Sequence, residues 1–169
     1  MAIYFASELP PPPPRRRRGL VPRGPGRNAA LMARLAERLT RSMTFGRLVS
    51  DDFFTIGQLA AHLKVSLRTL RFYEQSGLLS PERDGARRLY TREDLDRLKV
   101  IVALREMETS LVEIKALMTE IDLGEPDEVR ITARVDAMLA ALADGNRARI
   151  AELEVLNGRL ADLRRGLSD

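Results

Sequence analysis

The sequence predicts a mostly α-helical protein, in which a winged helix-turn-helix domain over residues 53–121 precedes a long coiled-coil helix over residues 126–167. Two observations carry this prediction. Residues 54–90 contain two short helical patterns, a tight turn between them and an Arg-rich, hairpin-like segment after them. Farther along the chain, leucines recur three and four residues apart, as they do in the seam of a coiled coil.

The first 50 residues are expected to form a disordered, basic extension. They hold ten Arg against two acidic residues, and seven of the nine prolines lie before residue 26. Pro10–Pro14 favours polyproline II, and the four charges of Arg15–Arg18 repel one another, so neither segment can build a core. Asn28 is placed to cap a short helix over residues 29–41, with leucines at 31, 35 and 39 on one face.

Two interpretations of this extension remain open. It could be an arm that binds nucleic acid. Alternatively, Met43 begins a more ordinary N-terminal sequence, and the residues before it lie upstream of the native start. We favour the second interpretation.

The helix-turn-helix follows from capping signals and apolar spacing. Thr55, with Gln58 three residues later, forms a capping box at the start of the first helix, and Ser66 caps a second helix that ends at Gln75. Gly77 then suits a left-handed C-cap. The side chains predicted to pack inward are Ile56, Leu59, Ala60 and Leu63 in the first helix, and Leu67, Leu70 and Phe72 in the second.

The wing and two further helices complete the domain. Asp84-Gly85 is a strong tight-turn signal between two short extended runs. Helices are predicted over residues 91–107 and 110–121, each beginning at a Thr or Ser that has an acidic residue three positions later. Gly124 and Pro126 then break the chain.

The C-terminal seam predicts a helix of about 40 residues, roughly 60 Å long, that needs a partner helix to cover it. An identical subunit is the simplest partner. Asn146 and Arg149 interrupt the seam just after Gly145, so a helical hairpin that folds back at this point is the alternative to a continuous helix. The apolar seam positions are Val135, Leu139, Leu142, Leu153, Leu156, Leu160, Leu163 and Leu167.

The local charge points to a nucleic-acid interface. Residues 53–92 carry seven basic against three acidic residues, whereas residues 93–169 carry eleven against seventeen. A basic island on an acidic body is typical of a nucleic-acid-binding face, although a solvated charged surface gives the same balance. An α-helix fits the major groove, so the second helix is the predicted recognition helix. Its exposed residues are expected to be Ser66, Arg68, Thr69, Arg71 and Tyr73.

On the wing, Arg87, Arg88 and Tyr90 are placed to hold the flanking DNA backbone. The competing interpretation of Arg68 and Arg71 is a surface ion pair, for example with Glu74. For Tyr73 and Tyr90, the competing interpretation is packing in the core.

Other classes of function find little support. The chain has no Cys and one His, which excludes disulfides, thiolate metal sites and thiol redox switches. No run of about 18 apolar residues could span a membrane, and the N-terminus does not resemble a secretory signal. We therefore expect a cytoplasmic protein without cofactor, metal or enzymatic activity.

The motifs together closely resemble the MerR family of bacterial transcription regulators. The family's valine-serine turn, its Thr-Leu-Arg-Phe/Tyr-Tyr-Glu helix, its Gly-Leu-Leu, its wing ending in Arg-x-Tyr and its Thr-x-x-Asp helix start all occur here in order. They are Val65-Ser66, Thr69–Glu74, Gly77–Leu79, Arg88–Tyr90 and Thr91–Asp94.

The resemblance implies a homodimer joined by an antiparallel coiled coil, which binds a palindromic promoter operator and distorts it so that RNA polymerase can engage. It also implies roles for particular residues. Arg68 and Arg71 would contact DNA from the helix, Tyr73, Arg88 and Tyr90 would contact its backbone, and Thr55 would lie at a phosphate. The family's wing often reads Gly-Tyr-Arg, so Gly85–Arg88 predicts a wing tip one residue longer.

The alternative function is a winged-helix adaptor that binds a protein, as some chaperone modulators do. An adaptor would have little need of the four arginines at 68, 71, 87 and 88.

Overall fold

A computed structural model describes residues 26–48, 53–85, 87–125 and 127–167. The chain divides into two compact units, residues 1–126 and residues 127–169. Within the described residues, no helix is both long enough and apolar enough to cross a membrane. The elements in chain order are α1 (Ala29–Leu39), α2 (Ile56–Leu63), α3 (Leu67–Gln75), β1 (Glu82–Asp84), β2 (Arg87–Leu89), α4 (Arg92–Glu106), α5 (Leu111–Leu123) and α6 (Glu128–Gly166).

The helix-turn-helix is formed by α2 and α3, and its predicted caps are confirmed. The Thr55 hydroxyl accepts from Gln58 N (3.2 Å), while Gln58 Oε1 accepts from Thr55 N (2.7 Å). Lys64 ends α2 in the left-handed conformation, at φ 56°, and Val65 N donates to Ala60 O. The Ser66 hydroxyl then accepts from Thr69 N at the start of α3 (3.0 Å). The turn is therefore fixed by local bonds at both helix ends.

The wing is a two-stranded antiparallel hairpin. Arg83 pairs with Arg88 and Asp84 with Arg87, so the turn between the two strands is short. Gly85 has φ +61°, which the tight turn requires. The expectation that the wing tip is one residue longer than in the family stays a prediction. At the base of the hairpin, an antiparallel bridge joins Tyr90 to Phe54, the residue that leads into α2.

The core of the first unit centres on α4, which is buried on more than one face. Its buried residues include the continuous run Val100–Leu104. A helix that is apolar nearly all round needs neighbours on several sides. Contacts with α2 and α5 cover part of its surface. Arg97 adds polar anchors, donating to Leu78 O (2.8 Å) and pairing with both carboxylate oxygens of Asp122 on α5.

Helix α1 covers a further face of α4. Its buried side chains are Leu31, Met32, Leu35 and Ala36. The short helix predicted over residues 29–41 is confirmed as α1. Residues 26–48 depart from the disordered extension expected over residues 1–50, because their apolar stripe has a hydrophobic surface to pack on. Residues 1–25 and 49–52, where the rest of that prediction falls, lie outside the described residues.

Asn28 does not cap α1 as predicted, since its side chain makes no capping bond there. Instead, Asn28 Nδ2 donates to Ile121 O and to Gly124 O (3.3 Å), two carbonyl groups that the end of α5 leaves without helical partners. Arg27 pairs with Glu125 nearby (2.8 Å), and Gly26 N donates to Glu93 Oε2 (3.0 Å). The start of α1 is therefore bonded to the first turn of α4 and to the end of α5.

The segment after α1 is fastened to the end of α2. Gly46 N donates to His62 O (2.7 Å), and His62 Nδ1 donates to Gly46 O (2.6 Å). The Phe45 ring stacks on His62, and Lys99 Nζ lies 5.6 Å from the centre of the Phe45 ring. Burial in this cluster lowers the pKa of His62, which favours the neutral ring.

The second unit is one unbroken helix, α6, of 39 residues. Asp127 caps it by accepting from Arg130 N (2.9 Å). The alternative of a hairpin at Gly145-Asn146 is therefore wrong, and the continuous helix is confirmed. Ile131 and Val135 are its only buried residues among those described.

Candidate nucleic-acid interface

The exposed face of α3 carries the arginines predicted to read bases. Arg68 and Arg71 are both exposed, as is Ser66 at the helix start, whereas Thr69 is half-buried. The Ser66 and Thr69 hydroxyls lie 2.7 Å apart, so this short polar edge is already ordered. Arg can donate two hydrogen bonds to guanine in the major groove. This face therefore offers two long donors beside a fixed hydroxyl pair.

Two apolar residues of α3 are also on the surface. Leu67 is 44% exposed and Phe72 is 48% exposed, so the prediction that both pack inward is wrong. Leu70 alone of the three predicted residues is buried. The reason is helical phase: Phe72 follows Arg71 round the helix and so lies away from Leu70. An exposed aromatic ring therefore lies next to Arg71, which the apolar pattern did not suggest.

Glu74, the expected ion-pair partner of Arg68 or Arg71, binds the wing instead. Its carboxylate pairs with Arg88 Nε (3.1 Å) and accepts from the Tyr90 hydroxyl. Within the described part of the chain, neither Arg68 nor Arg71 has an ion-pair partner. These two arginines therefore do not form the surface ion pairs that the competing interpretation predicted.

The two tyrosines predicted to touch the DNA backbone are buried. Tyr90 is fully covered, and Tyr73 is 5% exposed. Burial and the bond to Glu74 raise the pKa of Tyr90, and burial raises the pKa of Tyr73. Both phenols therefore stay protonated and buried in the first unit, which agrees with the competing interpretation rather than with phosphate contact.

Arg105 is a residue of this region that the sequence did not single out. Against the larger effect of burial, its positive charge acts on Tyr73 and lowers the pKa of that phenol, and Arg105 Nη1 donates to Thr109 O (2.7 Å) in the loop between α4 and α5. Glu108 in that loop has φ 63°. Arg105 thereby anchors this loop to the end of α4 and places a positive charge near Tyr73 of α3. The only sequence signal was a basic residue in the last turn of a helix, which is common.

The remaining predicted contacts are accessible to different degrees. Arg87 is exposed, and the Arg88 side chain is 46% exposed despite its pair with Glu74. Thr55 is half-buried and its hydroxyl serves the α2 capping box. Among the residues that the structure describes, no three His, Cys, Asp or Glu side chains lie together as metal ligands would.

Replacing Arg88 with alanine should reduce the salt dependence of DNA binding. Each lost phosphate contact lowers the slope of log K against log salt by about 0.9, or about 1.8 for two subunits. The slope is measured by fluorescence anisotropy over a salt series. Glu74→Gln is the matched control, because it removes the ion pair but keeps Arg88. An unchanged slope in Arg88→Ala, or an equal drop in Glu74→Gln, would contradict a phosphate contact.

Comparison with known proteins agrees with this geometry. A family model described as "MerR HTH family regulatory protein" matches residues 54–121. The HTH-type transcriptional regulator ZntR homolog of Haemophilus influenzae is 35% identical over 111 residues, which cover 64% of this chain and 79% of that protein. The mercuric resistance operon regulatory protein of Bacillus cereus is 33% identical, over 66% of this chain and 83% of its own. The chain belongs to the MerR family.

A solved structure supports the helical architecture. The transcription regulator PbrR691 from Ralstonia metallidurans CH34, whose structure contains lead(II), superposes with a TM-score of 0.52 at 35% identity. The match covers 66% of this chain and 86% of that one. The protein is accordingly a DNA-binding transcription regulator of the MerR type, with a winged helix-turn-helix and a long C-terminal helix.

Proposed function

We propose that two copies of this MerR-family protein, paired through antiparallel α6 helices, bind a palindromic promoter operator and distort it. The distorted promoter would then be engaged by RNA polymerase, in the bacterial cytoplasm. The observation that carries this proposal is the exposed apolar seam of α6. Leu153, Leu156, Leu160 and Leu163 are between 44% and 67% exposed.

Such a seam favours association. Burying a leucine side chain stabilises by about 1.5–3 kcal/mol, and each copy contributes several seam leucines. A helix with an apolar face and no cover in its own unit is typical of a coiled-coil strand. Identical strands in antiparallel orientation place two winged units about a two-fold axis, and that symmetry matches a palindromic site.

Arg68 and Arg71 of each subunit are the proposed base contacts, and Arg87 and Arg88 are the proposed phosphate contacts. Thr55, Ser66 and Thr69 would add phosphate contacts at the two helix starts. Bending an operator costs on the order of 1–6 kcal/mol, which phosphate contacts on both sides of the bend can offset. The exposed guanidinium groups on α3 and β2 are suited to that task.

Charging the seam should break the dimer. Leu153→Glu with Leu160→Glu places two carboxylates where the proposed partner helix packs, and burying an unpaired charge is strongly unfavourable. We expect a monomer in sedimentation velocity and at least a 100-fold loss of operator affinity, since each half-site would be bound alone.

Val155→Glu is the matched control. Val155 is equally apolar and 57% exposed, but lies off the seam, so this variant should remain dimeric. On circularly permuted operator fragments, wild type and Val155→Glu should migrate slowest when the operator is central, as a bent complex does. A dimeric Leu153→Glu/Leu160→Glu variant would refute the seam as the interface, and position-independent migration of the wild-type complex would refute distortion.

A further inference from the structure

The seam of α6 has a polar interruption that dimer formation alone does not explain. Asn146 and Arg149 occupy seam positions in the middle of the helix, between Leu142 and Leu153. Both are exposed in the single chain, and Arg149 Nη1 lies 2.9 Å from Glu152 Oε2. Placed against leucine in an interface, either side chain would lose hydrogen bonds to water without replacement.

The interruption lies at the centre of a symmetric pattern. Arg147 is the central residue of the 39-residue helix. Asn146 and Arg149 are equally far from the point between Arg147 and Ala148. Four leucines of the seam are arranged symmetrically about the same point, in the pairs Leu142 with Leu153 and Leu139 with Leu156.

We infer that a second copy of this chain pairs with α6 in one antiparallel register, whose two-fold axis passes between Arg147 and Ala148. In that register, Asn146 of each copy meets the partner's Arg149. Leu142 then packs on the partner's Leu153. This inference rests on the proposed homodimer and goes further, since it names the contacts that select one alignment.

The chemistry of the two side chains fits this arrangement. A guanidinium has five N–H donors and an amide oxygen accepts hydrogen bonds, so Arg149 can bind the partner's Asn146 and keep Glu152. The pair occurs twice, once on each side of the axis. A single polar layer in an apolar seam is known to fix coiled-coil alignment at some cost in stability.

Neighbouring registers lack this match. A seam step is one heptad of the coiled coil. Sliding the partner helix by one seam step in one direction places Asn146 against the partner's Leu156. Sliding it in the other direction sets Asn146 against the partner's Leu142. In both cases Arg149 also faces leucine, so every polar seam residue loses its partner. The inferred register also gives full end-to-end overlap of the two helices, because its axis coincides with the middle of α6.

Gly145 is a second feature at the same place. A Cβ built on it meets no atom within 4 Å, so nothing in its own chain requires a glycine. Glycine in a helix interior lowers helix stability relative to alanine. Beside the central layer of the inferred register, the missing side chain allows the partner helix to approach closely.

Engineered disulfides test the register, because the chain has no cysteine of its own. In the full-length protein, L142C/L153C should form a covalent dimer on mild oxidation, with no free thiol left in a thiol titration. L139C/L156C, one layer farther out, should do the same and guards against a folding defect in the first variant. An intrachain bond is impossible, since residues 142 and 153 lie about 16 Å apart along one helix.

L142C/L160C is the register control, because it pairs only when the partner slides by one seam step. In the inferred register its sulfurs are separated by about 10 Å along the helices, so it should remain at least tenfold less crosslinked than L142C/L153C. Adding N146L and R149L should remove the selection, so that L142C/L160C then crosslinks to a similar extent. Exclusive 142–153 crosslinking in that background would overturn the role of the polar layer.

The possible failures are distinguishable. A monomer in sedimentation velocity would overturn the proposed homodimer itself. A stable dimer that crosslinks best through L142C/L160C would overturn only the register. A dimer in which single L142C crosslinks to itself would have parallel helices, and would overturn the antiparallel arrangement.

Discussion

Arg71→Ala should weaken binding to the specific operator by at least 30-fold while leaving the dimer intact. Arg71 is exposed on α3, and Glu74, the nearest acidic residue on that helix, is already bound to Arg88 and Tyr90. Each bidentate Arg–guanine pair contributes roughly 1–3 kcal/mol of discrimination, and the proposed dimer would lose two. The loss should be smaller on unrelated DNA, because a base contact adds little to non-specific binding. Anisotropy titrations on both sequences measure this.

Lys115→Ala is the control for that experiment. Lys115 is an exposed cation on α5, outside the α3 and wing surface, and its removal changes the net charge by the same amount. It should leave the ratio of specific to non-specific affinity unchanged. If Arg71→Ala lowered both affinities equally, Arg71 would be a phosphate contact and not a base contact.

Deleting residues 1–42 should lower the free energy of unfolding of the first unit by about 3 kcal/mol or more. The deletion removes α1 and uncovers the face of α4 that α1 packs against. Three large apolar side chains, Leu31, Met32 and Leu35, are nearly fully buried there, and each contributes about 1.5–3 kcal/mol before the entropy of ordering α1 is subtracted. Urea unfolding monitored by circular dichroism measures the loss.

A deletion that stops at residue 25 is the matched control, because it keeps α1 and the bonds of Gly26, Arg27 and Asn28. It should unfold at the same urea concentration as the full chain. The interpretation of Met43 as the native start makes the opposite prediction for the longer deletion. Equal midpoints for all three proteins would support that interpretation and would show that α1 adds nothing to stability.

The sequence allowed the elements of the winged domain to be placed because their signals are local. Capping boxes at Thr55, Thr91 and Ser110 involve side chains three residues apart, and all three are formed. The turn at Gly85 likewise depends on one residue's backbone freedom. The course of α6 followed from a seam that continues through Gly145 without a change of phase, which a hairpin would have broken.

The packing of α1 was not predicted, because it depends on residues about 65 positions away. A stripe of leucines in residues 29–39 does not say which surface it meets. The signal lay in α4, where Val100–Leu104 forms a longer apolar run than a helix with one buried face needs. Asn28 was misassigned for a related reason: the carbonyl groups it binds belong to the end of α5.

The roles of the two tyrosines could not be separated by sequence either. Tyrosine combines a large apolar ring with a polar hydroxyl, so it suits both a core and a phosphate contact. For Tyr90, the deciding contact is with Glu74, whose carboxylate accepts a hydrogen bond from the buried Tyr90 hydroxyl. The neighbouring aromatic residue, Phe72, is exposed on α3 although it has no hydroxyl.

The bonds of Glu74 limit how this protein could be re-engineered. One carboxylate on α3 holds both Arg88 and Tyr90 of the hairpin region, so α3, the proposed base-reading helix, and the hairpin, the proposed backbone contact, behave as one part. A new operator preference cannot be obtained by transplanting α3 alone from a relative, because a graft without an acidic residue at position 74 would release the wing. Transplants should therefore exchange Ser66 to Tyr90 as one cassette, and libraries that randomise α3 should leave position 74 fixed.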